Sequence, residues 1–174
     1  MNIQDFWRLI DASATASGGD CAAQAAYLRD ALQQRGRADC LSFYQHLREQ
    51  MAALHSFDVL AADFLVQHSV TPDVFREFRA WLVCRGRSAF DKVRKDVAAI
   101  ADFLDARQVD YLDGKILLIA AEEAYDALGG SEDEFYARAE SVNEPPFELL
   151  WPQSWEDVST RWPTLYKKFG QQHA

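Results

Sequence analysis

The chain has 174 residues, 49% of them apolar and 26% charged, with 13% aromatic residues including five tryptophans. That length gives one domain with a sizeable core, and that composition excludes a disordered chain. The net charge is −9, which argues against a general nucleic-acid binder. Residues 1–100 carry 12 acids and 12 bases, whereas residues 101–174 carry 15 acids and 6 bases. No apolar run reaches the ~20 residues a bilayer requires. "MNIQDFWRLI" lacks the basic and apolar regions of a secretory signal, and three widely spaced cysteines suit a reducing compartment. The expected setting is therefore the cytoplasm.

The periodicity is helical almost throughout. Asn2 can cap a first helix whose Ile3, Phe6, Trp7 and Ile10 form one stripe. "SGGD" breaks it, Asp20 can cap a second helix, and Gly36 ends that one. A third helix is expected from about Asp39 to Leu54, and a short apolar fourth from Phe57 to about His68. Thr71-Pro72-Asp73 is a strong helix start: a capping hydroxyl, a proline at the first position, and an acid at the positive dipole end. The helix it opens should stop or bend at Gly86. Residues 96–107 read as a weaker helix, and "VDYLDG" as a loop. Lys115 to Leu128 is a helix stopped by Gly129-Gly130, and Ser131 with Glu134 suggests a capping box for the next. The prolines of "NEPPFELLWPQ" forbid regular helix. Ser154 with Asp157 can open a C-terminal helix that Pro163 interrupts or restarts. The expected fold is all-α, with no sheet. Residues 1–174 would form one irregular bundle of about eight to ten helices, with a Pro/Trp-rich segment over about 143–170 packing back on the body. Trp151, Trp155 and Trp162 would belong to that clamp, or else to an exposed patch for another protein.

Two charges sit in the wrong place on these helices. At 100° per residue, Phe75, Phe78, Leu82 and Val83 share one face of "FREFRAWLVCRGRSAF", with Trp81 at its margin. Arg79 falls inside that arc, and Arg85 falls between Trp81 and Phe78. A guanidinium there must be paired or must snorkel to water. On the 115–128 helix, Glu123 lies on an apolar side between Ile119, Ile116 and Ala127. The simplest expectation is that Arg79 and Glu123 meet in a buried pair, either fixing helix register or flanking a cleft. Glu122 and Glu123 point about 100° apart and do not form a catalytic carboxylate dyad. Cys84 lies among basic residues but has no evident histidine base, so it reads as structural. The histidines and cysteines match no zinc spacing, and no glycine-rich phosphate loop or nucleophile elbow occurs. No metal and no cofactor are expected.

Four stretches carry a resemblance over nearly the whole chain: "FWRLI", "FRAWLVCRGRSAF", "ILLIAAEEAYDAL" and "WEDVSTRWPTLYKKFG". In their order and spacing the chain resembles the family called domain of unknown function 4240. The resemblance implies a small, helical, bacterial protein and transfers no catalytic residue.

Three functions compete. The first is a non-catalytic interaction or regulatory module with an anion-favouring surface around 76–95, where seven bases face two acids. Its partner would be another protein or a small anionic ligand. The second is a small-molecule binder or enzyme with a pocket between helices 72–86 and 115–128. There Arg79 and Arg85 would hold an anion, Glu123 would orient it or act as an acid, and Trp81 would supply a stacking face. The third is a toxin-neutralising immunity protein whose acidic half faces a basic toxin.

Overall fold

The computed structural model describes residues 1–68, 70–106, 112–150 and 158–170. Among these residues there is no strand, and the chain forms ten α-helices with two short 3₁₀ segments. In chain order they are α1 (Ile3–Ser17), α2 (Cys21–Arg35), α3 (Arg37–Ala52), α4 (Phe57–Gln67), α5 (Pro72–Cys84) and α6 (Arg87–Lys95). After these come α7 (Gly114–Ala127), α8 (Glu132–Arg138), α9 (Val158–Arg161) and α10 (Pro163–Phe169). The 3₁₀ segments are Val97–Asp102 and Phe147–Leu150. The fold is all-α, as the periodicity predicts.

Local chemistry explains most helix starts. Side-chain oxygens of Asn2, Asp20, Ser56, Thr71, Asp113 and Ser131 each accept a backbone N–H in the first turn of α1, α2, α4, α5, α7 and α8. The start of α6 is different. Gly86 turns the chain at φ 103°, and the Arg87 N–H donates to Asp11 Oδ1 at 2.8 Å. A carboxylate on α1 thus supplies the cap that α6 does not carry itself.

Helices α5 and α7 stand at the centre. α7 packs along α2 and also touches α3 and α5, while α5 meets α1, α3, α4 and α6. In the second half of α5, every residue from Phe78 to Cys84 is buried. Gly114 lets α7 reach α5, because a Cβ there would lie 1.9 Å from the Glu77 carbonyl oxygen. At the other end of the chain, α10 packs on α4 and on the Val97–Asp102 segment, burying Leu165 and Phe169.

Some boundaries differ from the sequence expectation. Within the weak helix expected over 96–107, Val97–Asp102 form a 3₁₀ segment started by the Asp96 carboxylate, and residue 107 lies outside the described residues. Ile3 is exposed, and the α1 core stripe is Phe6, Trp7, Leu9, Ile10 and Ser13. The third helix starts two residues earlier than expected and stops at Ala52, with Leu54 buried beyond its end. Trp162 is buried, whereas Trp151, Trp155 and the Ser154/Asp157 cap lie outside the described residues.

Candidate functional site

Among the described residues, the buried polar and charged side chains are Ser13, Gln24, Asp63 and Arg79. They fall into two networks, one around each misplaced arginine of α5.

Arg85 closes the end of α5. Its Nη1 donates to the Gly19 carbonyl at 3.1 Å and its Nη2 to Gln24 Oε1 at 2.5 Å. Gln24 Nε2 in turn donates to Ser13 Oγ at 3.0 Å and to the Cys84 carbonyl at 2.7 Å. The guanidinium also lies 5.3 Å from the centre of the Trp81 ring, which stacks on Phe78 at 5.8 Å. Arg85 therefore does not snorkel; it brackets α5 to the α1–α2 turn. Beside it is a cavity of about 760 Å³, lined by Gly18 to Ala22, Trp81, Arg85, Phe103, Leu104, Leu112, Asp113 and Ile116. The charged groups on its wall are Arg85, Asp20 and Asp113, and both carboxylates are engaged in capping helices.

Arg79 does not meet Glu123. Its Nη1 and Nη2 donate to the two carboxylate oxygens of Glu144, at 2.8 and 3.2 Å. Nη1 also donates to the Met51 carbonyl at 3.1 Å, and Nε to the Phe75 carbonyl at 3.4 Å. The guanidinium stands 4.5 Å from the Phe75 ring centre. Glu123 instead pairs with Arg29 at 3.2 Å, and both side chains are about 40% exposed. The reason is the shape of α7's burial. Its core face is Leu117, Leu118, Ala120, Ala121, Ala124 and Tyr125. Ile116, Ile119 and Glu123 lie on a half-buried margin.

Two further titratable groups share the Arg79 neighbourhood. His55 Nδ1 lies 3.3 Å from Glu144 Oε2. Burial and the Arg79 charge push the His55 pKa down, against the pull of Glu144. Asp63 is fully buried on α4 and accepts a hydrogen bond from Gln67 Nε2 at 2.5 Å. Burial lifts its carboxyl to about 7, against the opposing influence of Gln67 and Arg79.

A cleft of about 350 Å³ opens on the side of Arg79. Its wall includes Tyr44 and Arg48 from α3, Arg76 and Arg79 from α5, Tyr136 from α8, and Glu144. Arg48 donates to the Glu140 carbonyl at 2.8 Å and lies over the Tyr44 ring. Tyr44 and Tyr136 meet edge to face at 5.8 Å. Burial raises the Tyr136 pKa, so its hydroxyl stays a hydrogen-bond donor. Three guanidiniums and one carboxylate thus line the cleft, beside two phenols, and Arg79 grips the carboxylate.

The four sequence-predicted site residues are scattered. Arg85 and Trp81 line the larger cavity, Arg79 lines the smaller cleft, and Glu123 lines neither. Sequence reading missed Arg48, Tyr44, Tyr136, His55, Asp63 and Glu144. Only Asp63 carried a plain signal, as the acid in the middle of the apolar run "VLAADFLV". Cys84 is fully buried, with its thiol pushed up to about 12, which keeps it protonated and inert.

A family model described as a protein of unknown function, DUF4240, matches residues 1–127. The chain belongs to the DUF4240 family. No curated protein and no solved structure matches it. The matched part of this DUF4240 chain contains Arg48, Arg76, Arg79 and Tyr44, whereas Tyr136 and Glu144 lie beyond it. No helix among the described residues is long and apolar enough to cross a membrane.

Proposed function

We propose that this DUF4240 chain is a non-catalytic binding module that takes an anionic group of a partner at the Arg48–Arg76–Arg79 cleft. One observation carries the reading: three guanidiniums from two helices surround a cleft whose wall holds one carboxylate, Glu144. An arginine fork matches carboxylate and phosphate oxygens in geometry as well as charge. Arg76 is exposed at the rim, where it can steer an anion inward, and Tyr136 adds a neutral donor. The cleft uses the first two bases of the 76–95 run, and Lys92, Arg94 and Lys95 of that run lie in the last turn of α6.

The test is thermal unfolding of the full chain with inorganic pyrophosphate as probe. Millimolar pyrophosphate should raise the melting temperature of the wild type and leave Arg76→Ala unmoved, since Arg76 is exposed and its loss spares the fold. An equal shift in both proteins, or none in either, removes the proposal. The roughly 760 Å³ cavity supports a second reading, a small-molecule pocket between α5 and α7. In a wider screen of small molecules, a compound that stabilises wild type and Arg76→Ala alike would point to that cavity.

A further inference from the structure

The Arg79 cleft already holds an occupant, and it is a piece of this chain. Residues 139–146 form no helix after α8 ends at Arg138, and they cross the cleft as an irregular strap. Four contacts hold it, one of them the approach of His55 Nδ1 to Glu144 Oε2 at 3.3 Å. The Glu140 carbonyl accepts from Arg48, the Glu144 carboxylate is gripped at both oxygens by Arg79, and the Phe147 ring lies 6.0 Å from Phe75. Between the last two anchors, Pro145 and Pro146 are exposed. The two prolines have fixed φ and keep the residue before each extended, so the spacing from carboxylate to aromatic ring is set with little entropy left to lose. The strap therefore has the layout of a bound peptide: a charged anchor on a buried arginine, an exposed extended spacer, and an aromatic anchor three residues on.

We infer that the cleft is a docking site for an extended acidic segment of another protein, with a carboxylate followed three residues later by an aromatic side chain, and that residues 143–147 occupy it in its absence. This rests on the anion-binding reading above and gives it a partner class. The charge balance favours exchange over permanent closure. Glu144 neutralises one guanidinium of the three, and a segment carrying a second acid would also find Arg48 and Arg76. The seat itself is pre-formed. Arg79 keeps its bonds to the Met51 and Phe75 carbonyls when the carboxylate on its outer side is replaced by another. The guanidiniums lie inside the family-matched region, and the strap that covers them lies outside it.

The experiment measures fluorescence polarisation of a labelled peptide of residues 141–150, SVNEPPFELL, titrated with the full chain. Three proteins are compared: wild type, Glu144→Gln, and Phe147→Ala. The last loosens the strap without touching the charges, so it serves if Glu144→Gln fails to fold. A strap seated nine-tenths of the time weakens apparent affinity about tenfold. Both variants should therefore bind the peptide about tenfold more tightly than wild type. A peptide whose Glu in the Asn-Glu-Pro stretch is replaced by Gln should bind none of them. Equal affinity across the three proteins overturns the inference, and so does binding indifferent to the peptide carboxylate. If pyrophosphate binds through Arg76 but no peptide does, the anion cleft stands and the peptide partner falls. If neither binds, both fall.

Discussion

Asp63 makes the stability of this protein depend on pH in a way one substitution should expose. The side chain is fully buried on α4, its Oδ1 accepts from Gln67, and its Oδ2 has no hydrogen-bond partner. Burial raises the carboxyl from 3.8 to about 7 in the folded chain. The folded value exceeds the unfolded one, so the folded chain binds more protons between those pH values. Stability from this group is thus complete below the unfolded value and is lost as pH rises through the folded one. At 1.36 kcal/mol per unit, the loss reaches at most about 4 kcal/mol above pH 7. Asp63→Asn retains the acceptor for Gln67 and cannot ionise. The assay is urea unfolding of both proteins, followed by tryptophan fluorescence at intervals from pH 4 to 8.5. Other carboxylates weaken both proteins in acid alike, so the difference between the two isolates Asp63. The variant should gain on wild type as pH rises, by up to about 4 kcal/mol across the range. Parallel curves, or a gap that widens toward acid, would refute the burial argument.

Three further outcomes follow from contacts elsewhere in the chain. Arg79→Ala should cost about 3–5 kcal/mol, and in combination with Glu144→Ala should cost about 1–3 kcal/mol less than the sum of the single changes. Glu123→Ala should cost under about 1 kcal/mol and add independently to Arg79→Ala, because its partner is the half-exposed Arg29; chemical denaturation of the five variants against wild type measures each term. Gly114→Ala gains up to ~1 kcal/mol of helix propensity but drives a Cβ into the Glu77 carbonyl, so it should lower stability by about 2 kcal/mol or more. A melting temperature at or above wild type would show that α5 and α7 can separate without cost.

The legible features were those that chemistry acts on within a few residues. Asn2, Asp20, Thr71 and Ser131 cap the helices their positions predict, because a cap needs only a side-chain oxygen and the next turn. Gly18, Gly36 and Gly86 all take positive φ at the breaks they mark. The wheel also identified Arg79 as buried and charged. It failed on the partner. α7 is apolar nearly all round, so periodicity could not tell its core face from its half-buried margin, and Glu123 was placed on the wrong side of that distinction. Glu144 had no periodic context at all, since it sits in an irregular stretch before two prolines. Arg48 and Tyr136 look like ordinary surface residues, and Tyr44 like an ordinary member of the third helix's apolar stripe, until α3, α5 and α8 are brought together.

The two arginines that looked alike on the wheel are answered by different chemistry, and the difference bears on function. Arg85 is held by a backbone carbonyl and a buried amide, both supplied by the helical body. Those acceptors are neutral and Gln24 is itself fixed through Ser13 and the Cys84 carbonyl, while the Arg85 Nε is buried without a hydrogen-bond partner. Arg79 also has neutral carbonyl acceptors from the body, but its charge is matched by a carboxylate on a strap that also meets Arg48, His55 and Phe75. Removing that carboxylate leaves a buried cation seeking an anion, a state costly enough to draw in a replacement from solution. A guanidinium needed only to join helices could be satisfied as Arg85 is. The half-buried Glu144 carboxylate at Arg79, with Arg48 and Arg76 on the same cleft wall, is the contrast with the neutral acceptors of Arg85 on which the proposed anion seat rests.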